Sequence, residues 1–168
     1  IDGDNVAFYN RGIATVSGSF RANRTVVAGT TIMSGAVQNL GDLNVTGILD
    51  ISTATLAPGV TNLDKLDLSG TLITDEDFTV AGLFTSNMGT LIGVAGQGSL
   101  RADGGTTFTA ARPDIGTNLR EGFHYINPVG ATVDWVSGFV NMASHSIFDN
   151  YGTVNQQTDS WMSSNDSV

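Results

Sequence analysis

The chain has 168 residues and a formal net charge of −9, from sixteen acidic residues against six Arg and a single Lys, Lys65. That balance offers no basic footprint for nucleic acid and disfavours anionic membrane surfaces. With no cysteine, disulfides, thiolate metal sites and cysteine nucleophiles are excluded together.

Gly accounts for 21 residues, charged residues for 14% and hydrophobic residues for 40%. This is a folded, turn-rich chain that solvates its surface with Ser, Thr and Asn, because enough apolar area exists to offset the entropy of ordering. No apolar run approaches the roughly 20 residues of a membrane-spanning helix. The sequence starts at Ile1 without a signal-like segment, which reads as a processed chain or a piece of a larger one.

In chain order, Asp2-Gly3-Asp4-Asn5 gathers oxygen ligands near a Gly turn, a place where calcium is conceivable although no EF-hand pattern follows. Ala14, Val16, Gly18 and Phe20 then alternate with Thr15, Ser17 and Ser19, as in a strand with one buried and one wet face. The same period of two returns in Leu43, Val45, Gly47, Leu49 and Ile51, in Leu66, Leu68, Gly70 and Leu72, and in Phe78, Val80, Gly82 and Phe84. Pro58, Pro113 and Pro128 all fall between strand candidates, where a missing donor breaks no ladder. Residues 117–122 and the tail after Asn155 carry no clear strand pattern.

These segments align with one another. Asn10-Arg11-Gly12 followed by Val16-Ser17-Gly18-Ser19-Phe20 matches Asn39-Leu40-Gly41 followed by Val45-Thr46-Gly47-Ile48-Leu49 at an offset of 29. The unit (apolar, small, Gly, any, apolar) recurs at Leu68-Ser69-Gly70-Thr71-Leu72, at Val80-Ala81-Gly82-Leu83-Phe84 and at Val136-Ser137-Gly138-Phe139-Val140. Asn150-Tyr151-Gly152 repeats the Asn-x-Gly opening. The spacing predicts one all-β domain over 1–168, a parallel β-helix (β-solenoid) with irregular coils. Val16, Val45, Leu68 and Val80 would point inward, with Gly18, Gly47, Gly70 and Gly82 at corners that leave no room for a Cβ. An antiparallel β-sandwich shares the regular short strands and is the alternative.

The repeated unit, together with Asn150-Tyr151-Gly152-Thr153-Val154-Asn155, resembles the repeats of secreted parallel β-helix proteins such as filamentous-haemagglutinin-like adhesins and autotransporter passengers. The likeness covers residues 8–100 and, more loosely, 130–158. It implies an extracellular or cell-surface structural or adhesive module that assembles with copies of itself or adjacent modules into a fibre or surface layer. A carbohydrate-active β-helix enzyme or carbohydrate-binding module is the alternative, with an ice-binding solenoid behind it.

No catalytic or cofactor motif stands out. His124 and His145 are the only histidines, no Gly-x-Ser-x-Gly elbow occurs, and Gly96-Gln97-Gly98 lacks the rest of a phosphate loop. The acidic clusters Asp64-Lys65-Leu66-Asp67 and Asp75-Glu76-Asp77 read as solvated turns. The chain is therefore expected to be no enzyme, to carry no cofactor or metal, and to bind neither nucleic acid nor membrane, with carbohydrate as a second class of partner. Candidate interaction residues are Arg112, Asn118 and Arg120, in a loop excursion spanning 111–122, and Trp161 and Met162, in a polar tail over 159–168.

Overall fold

The structure is a computed structural model that describes residues 6–57 and 59–164, so the oxygen-rich segment at 2–5 lies outside the described residues. Among these the regular elements are all strands. The chain runs β1 Ala7–Asn10, β2 Ile13–Val16, β3 Phe20–Arg21, then β4 Arg24–Val27, β5 Thr30–Met33, β6 Ala36–Asn39. It continues through β7 Asp42–Val45, β8 Ile48–Asp50, β9 Thr55–Leu56 and β10 Asn62–Leu63. Next come β11 Leu66–Leu68, β12 Thr71–Ile73, β13 Asp77–Val80, then β14 Phe84–Asn87, β15 Thr90–Ile92, β16 Ser99–Ala102. The last coils hold β17 Thr106–Thr109, β18 Gly116–Arg120, β19 His124–Asn127, β20 Thr132–Trp135, β21 Phe139–Met142, β22 Ile147–Asn150, β23 Thr153–Gln156 and β24 Met162–Ser164.

Every pairing between these strands is parallel, and each strand's partners lie one coil before and after it. Sheet 1 has the order β1-β4-β7-β11-β14-β17-β20-β23, and sheet 2 the order β2-β5-β8-β12-β15-β18-β21-β24. Sheet 3 is β3-β6-β9, and sheet 4 is β10-β13-β16-β19-β22. The molecule is a parallel β-solenoid; the antiparallel sandwich is not formed.

Alternation sets the core. Inward columns of sheet 1 stack Val27, Val45, Leu68, Ser86, Phe108 and Trp135, while sheet 2 stacks Leu49, Leu72, Leu91 and Leu119, all buried. Val45, Leu68 and Val80 are at most 1% exposed, and Val16, whose strand has a ladder partner on one side only among the described residues, is partly buried against the core. Larger later coils hold aromatic packing, with Tyr125 stacked on Phe148 at 4.8 Å and in contact with Phe84 and Phe108. Buried hydroxyls find one another: Ser86 with Thr117 at 2.7 Å and Thr106 with Tyr125 at 2.6 Å.

Corners are built on glycine, with Gly18 as the exception among the four expected, since a Cβ there would meet open space. A Cβ on Gly29 would strike the carbonyl oxygen of Gly12, one on Gly47 that of Gly29, and one on Gly70 that of Gly47. The close approach lets each carbonyl accept an amide of the following coil, Thr30 from Gly12 at 2.8 Å, Ile48 from Gly29 at 2.9 Å and Thr71 from Gly47 at 2.7 Å.

Two segment expectations need correction. The span 111–122 is not one excursion: Gly116–Arg120 is a regular strand inside sheet 2, paired with β15 and β21, and only the exposed stretch before it leaves the stack. Its inward positions are Thr117 and Leu119, and Thr117 hides the apolar alternation because it is satisfied by Ser86 and needs no apolar substitute. The tail likewise supplies a strand, β24, which pairs with β21 through Val140 with Met162 and Asn141 with Ser163. Residues 165–168 lie outside the described residues.

Candidate functional site

Outward side chains of sheet 2 form straight columns, because partners are in register from coil to coil. One column reads Ile13, Thr30, Ile48, Thr71, Thr90, Asn118, Asn141, Ser163. Its first five members are Ile or Thr, and its last three are joined by hydrogen bonds. Ser163 Oγ donates to Asn141 Oδ1 at 3.2 Å, Asn141 Nδ2 to Asn118 Oδ1 at 3.2 Å, and Asn118 Nδ2 to the Gly116 carbonyl at 3.2 Å. Beside this ladder the Trp161 and Phe139 rings stack, with centroids 6.2 Å apart and planes 17° from parallel. Phe139, Asn141, Trp161 and Ser163 line an open slot of about 270 Å³.

A second concavity lies on sheet 4. One outward column there reads Asp77, Ser99, His124, Ile147, and its neighbour Thr79, Arg101, Ile126, Asp149. Ser99 Oγ donates to Asp77 at 2.7 Å, and His124 Nε2 meets Asp149 Oδ2 at 2.8 Å. Asp75, Asp77, Gln97, Ser99, His124 and Ile126 are among the residues lining an open groove of about 500 Å³. The turns along its rim hold Ala95, Glu121, Ser144 and His145 at positive φ, a costly backbone for side-chain-bearing residues. Among the described residues no three acidic or imidazole side chains converge as a metal site.

The expected interaction residues are thereby sorted. Asn118 and Arg120 are outward on β18, and Trp161 sits at the start of β24, so three of the five share the same end of sheet 2. Arg112 lies in the exposed loop before β18, bridged to Asp114 at 3.1 Å with both side chains 64% exposed, a pair of little energetic weight. Met162 holds the inward register of Val140 on an edge strand and is a core residue only partly covered. Sequence reasoning missed Phe139, Asn141 and Ser163, since only cross-coil register shows them beside Asn118 and Trp161. It also missed the gathering of Asp77, Ser99, His124 and Asp149, which are 22 to 25 residues apart where they bond.

Compared with family models, with curated proteins and with solved structures, the chain matches none of them.

Proposed function

We propose that the chain is an extracellular structural or adhesive module that associates through the edges of its two long sheets, with copies of itself or with adjoining modules. The observation that carries this is incomplete cover at both edges. Inward-facing Phe8 and Val16 at one edge, and Phe148 and Val154 at the other, are only partly buried, and Met162 is 38% exposed. Among the described residues the strands β1, β2, β23 and β24 have a ladder partner on one side only. A further coil docked there would bury the apolar side chains and satisfy the edge amides and carbonyls. The likeness of the repeats to exported β-helical proteins supports the location.

The test is sedimentation and light scattering over a concentration series, with electron microscopy, on the wild type and on Met162→Lys. The reading predicts a mass that grows with concentration and is reduced by the lysine. A monomer at every attainable concentration, with no filaments, refutes self-association.

A hydrolytic reading draws on the sheet 4 groove, where Ser99 and His124 are ladder neighbours and Asp149 orients the imidazole. A serine nucleophile gives its proton to the imidazole. Here Ser99 donates to Asp77 and His124 is turned to Asp149, two separate pairs instead of a relay. Binding is therefore the reading we prefer.

A further inference from the structure

We infer that the slot lined by the Trp161 and Phe139 rings on one side and by Asn141 and Ser163 on the other binds an uncharged saccharide, one pyranose ring lying against the aromatic pair with its hydroxyls toward the polar side. This deepens the adhesive side of the reading above and rests on it only for the ligand being met outside the cell.

Trp161 is 57% exposed, although a large apolar side chain gains little from facing water, and the Phe139 ring lies beside it with its plane 17° from parallel. Phe139 is half-buried in β21, and the backbone carrying Trp161 is tied to the same strand, its carbonyl accepting the Val140 amide at 3.3 Å. Ring and ladder columns stand two residues apart along each strand, about 6.6 Å. That is the scale of a six-membered sugar ring, which offers a C–H face to an aromatic and hydroxyls at its edge. A hydroxyl has one donor and two acceptor lone pairs, and Ser163, which lines the slot, gives its proton to Asn141 and keeps both lone pairs for sugar hydroxyls.

Charge and size decide between ligand classes. The four lining residues are neutral, and a chain of net charge −9 repels phosphates and uronates, so a nucleotide base would pay for its stacking with a repelled backbone. A slot lined by four residues is small beside the roughly 20–30 residues a side of a stable protein interface. A short, neutral ligand fits both limits.

The indole provides its own readout, because the other tryptophan, Trp135, is 4% exposed and donates its Nε1 proton to the Gly138 carbonyl at 2.7 Å. Tryptophan emission would be titrated with neutral hexasaccharides of β-1,3-glucose, β-1,4-glucose, mannose and N-acetylglucosamine, and with an oligogalacturonate as the charged control. The inference predicts a saturable change with at least one neutral hexasaccharide and none with the oligogalacturonate. Read by calorimetry, which does not depend on the indole, the response should vanish in Trp161→Ala and weaken by about tenfold in Ser163→Ala, with both variants melting like the wild type. No saturable change with any neutral probe overturns it, as does a response that survives Trp161→Ala. Loss of self-association in Trp161→Ala without any saccharide response would assign the slot to a second copy and overturn it too. Because assembly is measured without saccharide, failure here leaves the module reading standing, and failure of assembly leaves this site standing.

Discussion

At the residue scale, the fold depends on side chains that are absent as much as on those present. Gly47→Ala would drive a methyl into the Gly29 carbonyl, a backbone atom that cannot swing aside. We expect a loss of about 1–3 kcal/mol or more, seen as a lower urea midpoint. Val45→Asp places a carboxylate in a fully buried column between Val27 and Leu68, costing several kcal/mol against a total of only about 5–15, so that variant should unfold or aggregate. An unchanged melting temperature would show Val45 to be exposed.

Tyr125 gives the fold a pH dependence of definite sign. Burial pushes its phenol well above the ordinary value of about 10, and the Thr106 hydrogen bond offsets this only in part. The folded state therefore keeps a proton that the unfolded chain releases. Stability from this group is fully present below pH 10 and is lost as pH rises from there toward the folded-state value. Urea midpoints measured above pH 10 should fall more steeply for the wild type than for Tyr125→Phe, although the variant, which orphans the Thr106 hydroxyl, starts lower. Equal slopes would contradict the assignment.

At the element scale, the unit of apolar, small, Gly, any, apolar was readable, but its place in the coil was not. Val16 lies in β2 and Val45 in β7, strands of different sheets, so the match at an offset of 29 joins non-equivalent corners. The ladder partners of Val45 are Val27 and Leu68. Val27-Ala28-Gly29 went unnoticed because Thr30-Thr31 follows it, and buried Thr31 is satisfied by Asn10 at 2.7 Å instead of by apolar contact. The same substitution of a bonded hydroxyl for a methyl hid β18. What stays outside the stack is the loop 111–114, exposed throughout. Replacing those four residues by Asn-Gly should cost under about 1 kcal/mol, since loop-closure entropy varies slowly with length. A large fall in melting temperature would show that the loop packs.

At the scale of the whole molecule, the irregular spacing has a simple origin. Ladder partners along sheet 1 are 17 residues apart for Ala7 with Arg24, 18 for Arg24 with Asp42, 23 for Leu43 with Leu66, 18 for Leu66 with Phe84, 22 for Phe84 with Thr106 and 27 for Thr106 with Val133. Register is held at the strands while loops vary, so a solenoid was legible from periodicity although no single period describes the chain. The candidate site was half legible, because exposed Trp161 and polar Asn118 are visible one at a time, while Asn141, Ser163 and Phe139 join them only through stacking. Proposals for assembly and for the saccharide slot both stand on that stacking.

Its most direct test is a nuclear Overhauser spectrum of the methyl-labelled chain. The account predicts cross-peaks linking Val27 to Val45 and Val45 to Leu68, together with amide contacts between Ile48 and Gly29 and between Thr71 and Gly47. Cross-peaks that instead pair neighbouring strands head to tail, with Val45 meeting residues of β8 across a hairpin, would contradict the parallel solenoid and the sites built on it.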